Sequence, residues 1–411
     1  IDKYNIFEIP SLIDLTGLWQ IVNHSAFKYH LPTSKKTVKA LSMRRDDTEE
    51  NIYSIFKERD VLLHHPYNSI EPLLKLIETA AEDPNVLAIK LTIYRVAKGS
   101  RITNALFKAA ENGKHVSVLF EIKARFDEEN NIREAKRLQD AGCFVIHGIG
   151  FLKTHTKMLL IVRKEGDKVT RYVHMSSGNY NESTSKLYTD IGLITTKEIY
   201  AHDVSEFFNA ITGHSNPQKY DHLITAPIRM RNELIAFIRQ EAKNAKAGLP
   251  SGIVIKVNSL QDDKFIDALY KASQAGVPIK LIVRGICCLR PGRKGLSENI
   301  IVKSVVGNYL EHSRIFYFHN NGDPKLYGGS ADAMVRSFDR RIESLFLFVD
   351  EKCKKETMNI LDYSLKDNVN SYIMQEDGSY IKPALNNQKP FDSHKEFYKL
   401  SEEVIKDVTL F

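Results

Sequence analysis

One block of this chain occurs twice, and a duplicated block restricts the fold more than any single motif, because both copies must be built the same way. Ala105-Leu-Phe-Lys-Ala109 returns as Ala268-Leu-Tyr-Lys-Ala272, an offset of 163 residues, and a glycine stands eight residues after the first alanine in each copy, Gly113 and Gly276. The apolar pattern around the block is shared as well. Asn85 to Arg95 reads as a buried strand, Thr103 to Asn112 has helical spacing, and His115 to Glu121 reads as a second strand; the same order returns at Ile253 to Val257, Asp263 to Ala275 and Ile279 to Val283. A strand-helix-strand unit in duplicate predicts an α/β fold of two related domains. The chain's 411 residues suit two cores of about 150 to 200 residues each plus an attachment.

Polar motifs repeat too. His155-Thr-Lys157 has a counterpart in His312-Ser-Arg314, and each is followed by an apolar strand, Met158 to Val162 or Ile315 to Phe318. Next come the small-residue turns Ser176-Ser-Gly-Asn179 and Gly329-Ser-Ala-Asp332, and eleven residues after each turn stands an acid, Asp190 or Glu343. A lone histidine is more often structural than catalytic, but two that share a flanking cation and a downstream turn imply two half-sites. Neutral imidazole attacks phosphorus near pH 7, and its phosphoramidate is labile enough to pass the group on. A cation two residues away lies on the same strand face and can hold a non-bridging oxygen. Asp190 and Glu343 are placed to accept the other imidazole N–H and fix the tautomer, while Asn179 and Asp332 end turns and are candidates to touch phosphate. His174 lies inside a strand-like run without such a cation and reads as structural or supporting.

The remaining features narrow the setting. A net charge of +7 and a pI near 8.9 favour a polyanionic partner. Cys143, Cys287, Cys288 and Cys353 show no CxxC spacing, which argues for a reducing compartment and against zinc. The chain starts at Ile1 without a signal-peptide pattern or an apolar run of the ~18 residues a membrane span needs, and reads as a soluble fragment of something longer. Residues 1–44 stand outside the repeat and read as the remnant of a preceding helical domain plus a linker. The turn-rich Gly213 to Pro217 marks the boundary between a first domain, 45–215, and a second, 216–411. A basic, Gly/Pro-rich loop from Arg284 to Gly295 gathers Arg284, Arg290, Arg293 and Lys294 to guide a polyanion, and Arg336, Arg340 and Arg341 extend that path. Lys164 to Arg171 reads as an exposed hairpin.

The paired His-x-Lys and His-x-Arg motifs, with their turns and acids, resemble the catalytic repeat of the phospholipase D superfamily. That motif has an Asp seven residues after the histidine; here Val162 and His319 stand there, which argues against an ordinary phosphodiesterase. Longer strings decide more: Leu91-Thr-Ile-Tyr-Arg95, Lys123-Ala-Arg-Phe-Asp-Glu128, Thr154-His-Thr-Lys157, Ser177-Gly-Asn-Tyr-Asn181, Leu187-Tyr-Thr-Asp-Ile-Gly192 and Leu310-Glu-His-Ser-Arg314 are similar to the bacterial polyphosphate kinase family of the larger, histidine-phosphorylating type. The resemblance implies two phospholipase-D-like α/β domains, reversible transfer of the terminal phosphate of ATP to polyphosphate, and a phosphohistidine at His155. It further implies that His312 contacts nucleotide and assists transfer, that Tyr188 and Arg284 contact ATP, and that Arg95 and Arg125 lie near Mg²⁺. Guanidinium has no lone pair for a metal, so those two arginines are expected to meet it through shared phosphate.

By the same resemblance the partners are ATP or ADP and polyphosphate rather than a specific nucleic acid. The chain is expected to form homo-oligomers and to be cytoplasmic, compatible with peripheral association at the inner face of the membrane. Two rivals are a phosphodiesterase acting on phospholipid or nucleic acid through the same histidines, and a polyanion-binding module without catalysis.

Overall fold

Both repeat units are present in a computed structural model of the chain, which describes residues 7–31, 35–44, 47, 51–97, 99–121, 128–213, 220–385 and 388–411. It has two compact units, Ile1–Thr37 and Val38–Phe411. The first contains a short helix, α1 (Leu18–Val22), and a 3-10 turn over Ser25–His30, and its described residues bury no side chain. The second unit contains both copies of the repeat.

Its first half begins with α2 (Ile52–Glu58) and runs through β1 (Val61–His65), α3 (Glu71–Glu82), β2 (Val86–Ile93), α4 (Arg101–Glu111), β3 (His115–Phe120), α5 (Glu128–Asp140) and β4 (Phe144–His147). It continues through β5 (Lys153–Thr154), β6 (Met158–Glu165), β7 (Lys168–Ser176), β8 (Tyr188–Thr195) and α6 (Glu198–Ile211). The second half repeats this order: β9 (Leu223–Ala226), α7 (Met230–Lys246), β10 (Ile253–Val257), α8 (Asp263–Gln274), β11 (Ile279–Val283), β12 (Ile300–Val305), β13 (Leu310–Glu311), β14 (Arg314–Phe318), β15 (Lys325–Gly329), α9 (Val335–Asp339), β16 (Arg341–Leu347) and α10 (Glu351–Lys366). Beyond the repeat lie β17 (Ser371–Met374), β18 (Tyr380–Ile381), α11 (Ser393–Glu396) and α12 (Glu402–Lys406). The predicted elements of both units appear, with ends shifted by a residue or two.

Local chemistry sets these boundaries. The Ser100 and Asp262 side chains accept from the first-turn amides of α4 and α8, at 3.1 Å from Ile102 N and 2.9 Å from Phe265 N. Gly113 and Gly276 follow those helices with φ of 76° and 93°, a conformation that glycine adopts without strain. No counterpart of α5 stands between β11 and β12, where the Arg284–Gly295 loop runs instead.

The first sheet has the order β1-β8-β7-β6-β2-β3-β4, and the second matches it strand for strand, extended by β17 and β18. One element in each half breaks the separation. β13 pairs in parallel with the start of β8 (Leu310 opposite Tyr188, Glu311 opposite Thr189), and β5 pairs with the start of β16 (Arg341 opposite Lys153, Ile342 opposite Thr154). Each half thus lends its fifth strand to the other's sheet. Three apolar cores follow: one within the first half, one within the second, and a third where Leu160, Val173 and Leu193 meet Ile315, Leu326 and Phe346. Among the described residues no helix is long and apolar enough to cross a membrane.

Candidate functional site

The exchanged strands place the histidines. His155 follows β5 and its amide donates to Ile342 O at 2.9 Å; His312 follows β13 and its amide lies 3.2 Å from Thr189 O. Each imidazole therefore meets the acid of the opposite half. His155 Nδ1 lies 2.9 Å from Glu343 Oε2, and His312 Nδ1 lies 2.8 and 3.0 Å from the two oxygens of Asp190. A serine from each small-residue turn supports the acid: Ser330 Oγ donates to Glu343 Oε2 at 2.5 Å and Ser177 Oγ to Asp190 Oδ1 at 2.6 Å. With the carboxylates ionised, Nδ1–H is the donor on both rings and Nε2 keeps its lone pair.

The half-sites differ at Nε2. Arg314 Nη1 lies 3.1 Å from Nε2 of His312 and 2.7 Å from its carbonyl, and Arg314 Nη2 reaches Asp332 Oδ2 at 3.3 Å. Nε2 of His155 has no hydrogen-bond partner among the described residues, because shorter Lys157 turns its ammonium back to the His155 carbonyl. The flanking residues differ too. Tyr188 lies 5.2 Å from the His312 ring, and at the equivalent place beside His155 stands Arg341, with Nη1 3.8 Å from Glu343 Oε1. The Tyr94 ring meets His155 edge-on at 5.1 Å, and the charged ends of Arg95, Lys153 and Lys157 lie 5.2 to 5.4 Å from that ring's centre.

Burial, reinforced by Lys157, Arg341 and Arg314, holds the His155 imidazolium well below the usual histidine range. Burial and Arg314 lower His312 as well. Both rings are neutral at pH 7. Burial also holds Lys157 well below its ordinary value, against the pull of Glu343, and pushes Glu343 up to about 7. Burial opposes ionisation of Asp190, but the charge and hydrogen bond of His312, the Ser177 hydroxyl and Arg314 outweigh it and keep this acid below its ordinary value. The outcome is two uncharged imidazoles in a strongly basic pocket, an arrangement suited to a polyanion whose charge is met before it reacts.

Of the candidate residues, His155, His312, Lys157, Arg314, Tyr188 and Arg95 gather here. Arg284 approaches with Nε 3.3 Å from Asn258 Oδ1 and feels the charge of Arg314. Arg125 lies outside the described residues. The predicted polyanion loop is corrected in part: Arg290 donates to the Asp377 carbonyl and Arg293 Nε lies 3.4 Å from Glu376 O, so both brace the turn between β17 and β18. His174 is buried with Nδ1 2.9 Å from the Tyr180 hydroxyl. Tyr94, Ser177 and Ser330 escaped notice as site residues. Aligning the copies at the offset of 153 that relates Asp190 to Glu343 sets Ser177 against Ser330 and Tyr188 against Arg341, which was the available signal.

A protein-held magnesium site does not fit the donors seen. Asp190 and Glu343 are occupied by histidine and serine, and the described residues contain no cluster of three or more His, Cys, Asp or Glu able to hold a metal.

Two phospholipase-D-like α/β domains, related by an internal repeat and sharing one histidine site, define the class of this protein. Residues 51–217 match the family model for polyphosphate kinase C-terminal domain 1, and residues 223–394 the model for C-terminal domain 2. The chain belongs to the polyphosphate kinase family. It is 45% identical to a polyphosphate kinase of Staphylococcus haemolyticus, over 99% of this chain and 56% of that protein. It is 50% identical to one of Synechocystis, over 81% of this chain and 46% of that protein. The crystal structure of polyphosphate kinase from Porphyromonas gingivalis superimposes with a TM-score of 0.83 at 34% identity, covering 92% of this chain and 57% of that one. Phosphatidylserine synthase from Haemophilus influenzae shares the fold alone, with a TM-score of 0.53 at 13% identity, covering 83% of this chain and 92% of that one. The chain spans about half the length of the curated relatives it matches.

Proposed function

We propose that this chain carries the phosphotransfer site of a polyphosphate kinase, which moves the terminal phosphate of ATP reversibly to polyphosphate through phospho-His155. The observation that carries the assignment is the difference at Nε2: the lone pair of His155 is uncovered among the described residues, whereas that of His312 faces the Arg314 guanidinium. In the first step Nε2 of His155 bonds to the γ-phosphorus, the bond from phosphorus to the β,γ-bridging oxygen breaks, and ADP leaves with the electron pair. In the second, a terminal oxygen of polyphosphate attacks that phosphorus, the N–P bond breaks and Nε2 recovers its lone pair.

Lys157, Arg95, Arg125 and Arg314 meet the charge spread over the equatorial oxygens. His312, neutral before substrate arrives, acts in the second step: it accepts the proton of the entering polyphosphate oxygen as that oxygen bonds to phosphorus, and in the reverse reaction the imidazolium returns the proton to the same oxygen as it leaves. Tyr188 and Arg284 hold the nucleotide beside His312, and Arg341, at Tyr188's equivalent position, faces the phosphate side. Magnesium arrives as the metal-nucleotide complex, next to arginines that share its phosphates. We also propose the domain division 45–215 and 216–411, assembly into homo-oligomers, and a cytoplasmic location with peripheral membrane association.

Incubation with γ-labelled ATP, followed by mass-spectrometric mapping of the acid-labile phosphate, tests the proposal. Label on His155, absent from His155→Ala, is the expected result. Label on His312 or His174 overturns the assignment of the carrier, and a protein that cleaves phosphodiesters while retaining no γ-label is a diesterase.

A further inference from the structure

Beneath β13 runs a chain of buried polar groups that reaches from the C-terminal segment to His312. His394, on α11, has Nε2 2.7 Å from Glu311 Oε1. The other oxygen of Glu311 receives Lys256 Nζ at 2.5 Å and the Thr189 hydroxyl at 3.0 Å, and that hydroxyl oxygen accepts the His312 amide at 3.1 Å. Lys256 also donates to Ser313 Oγ at 2.8 Å. His394 is seated by its surroundings: a Cβ on Gly307 would stand 2.7 Å from its Nδ1, and Ser393 before it is held to Asp367 through both its amide and its hydroxyl.

The duplication supplies an internal control. The counterparts of Lys256 and Glu311 in the first half are Thr92 and Thr154. Thr92 donates to the Thr156 carbonyl at 2.9 Å, and the Thr154 amide rests on Glu121 Oε2 at 2.8 Å. No ion pair joins these two positions under β5. A buried ion pair contributes little net stability compared with apolar residues of the same volume, so stability alone explains this difference poorly; a fully bonded network does select one geometry over its neighbours. Geometry is the scarce quantity here. β13 has only two residues with which to fix itself on β8, yet it must bring His312 within 3.0 Å of both Asp190 oxygens.

We propose that Lys256, Glu311 and His394 are positioning residues for His312, locking the register of β13 on β8 and making the C-terminal segment part of the second half-site. The inference rests on the phosphotransfer reading of His312, and its test has one arm that does not. In the whole chain, His394→Phe and the paired change Lys256→Met with Glu311→Gln leave no lone buried charge. Hydrogen exchange is expected to quicken at least ~10-fold in a peptide covering Leu310 to His312, while one covering His155 stays within about twofold of the parent. Turnover in ATP-dependent polymer formation is expected to fall about 10- to 100-fold with KM for ATP within about threefold, and His394→Gln, which keeps a donor to Glu311, is expected to recover most of it.

Unchanged exchange at Leu310 to His312 overturns the proposal, as does a loosened strand with unchanged turnover or a loss confined to KM. If the parent chain takes no phosphate onto His155, the kinase reading fails, and the exchange contrast still decides whether the network fixes the strand.

Discussion

Glu343 accepts from Nδ1 of His155 only while it is ionised, and burial pushes its carboxyl up to about 7 against the opposing charge of Lys157 and Arg341. Below that pH the carboxyl carries its own proton, and the His155 tautomer with a bare Nε2 loses its acceptor. The kcat/KM for phosphoenzyme formation, followed by rapid quench with labelled ATP, is therefore expected to rise with pH through about 7. Glu343→Gln should remove that inflection and lower the rate about 10- to 100-fold. Stability runs the other way. A folded pKa above the ordinary 4.5 contributes stability that is complete below 4.5 and lost as pH rises through about 7, so this site trades stability for an ionised acid at working pH. Gly178 makes a related case, because a Cβ there would stand 2.7 Å from Asp190 Cγ, whereas its equivalent in the other turn is Ala331. A Cβ at Gly178 would also stand 2.8 Å from Asp190 Cβ, too close to the backbone for the side chain to yield freely, so Gly178→Ala should push Asp190 off His312 and lower Tm by a few degrees. A drop in turnover of about 10-fold or more is expected in a steady-state assay. Both acids were legible from the duplicated spacing, but their crossing to opposite histidines was not, since nothing in the sequence says which half each imidazole will face.

The legible elements were the long periodic ones. β2, α4 and β3, with β10, α8 and β11, announce themselves through apolar spacing and a terminal glycine, because each buries a whole face against a core. β5 and β13 have two residues each and no period to detect, yet they assemble the site. Arg290 and Arg293 misled for a related reason: a basic Gly/Pro-rich loop suggests an open anion path, and only the fold shows the β17–β18 carbonyls that consume two of its cations. α10 holds a further element-scale consequence. Glu356 on this helix is buried, its Oε1 has no hydrogen-bond partner among the described residues, and burial pushes its carboxyl up to about 8, aided by Asp350 and Glu402 against Lys352. Its stabilising contribution is complete below 4.5 and is lost as pH rises through about 8. Glu356→Gln should therefore leave Tm nearly unchanged at pH 4.5 and raise it by several degrees at pH 9. A tenfold difference in proton affinity between the folded and unfolded chain is worth about 1.4 kcal/mol, which thermal melts at the two pH values can resolve.

At the scale of the molecule, the duplication makes two sheets but not two independent machines. The shared third core places β6, β7 and β8 against β14, β15 and β16, so separating the halves would expose apolar side chains from both. The site is divided in the same way: His155 belongs to one half and its acid Glu343 to the other, while His312 and Asp190 are divided in the opposite sense. A chain severed between Gly213 and Tyr220 tests this arrangement. Produced together, the pieces should copurify, because the shared core and both exchanged strands hold them without a covalent link, and His155 should take label from ATP. Produced alone, the piece bearing His155 lacks Glu343, Ser330, Arg314 and Arg341, and its labelling should fall below about 1% of the uncut chain, a loss comparable to removing several groups that act as one unit. Labelling of that piece alone at more than a tenth of the uncut rate would mean that the first half carries a complete site, and the crossed pairing of acid and histidine would then be architecture without a catalytic role.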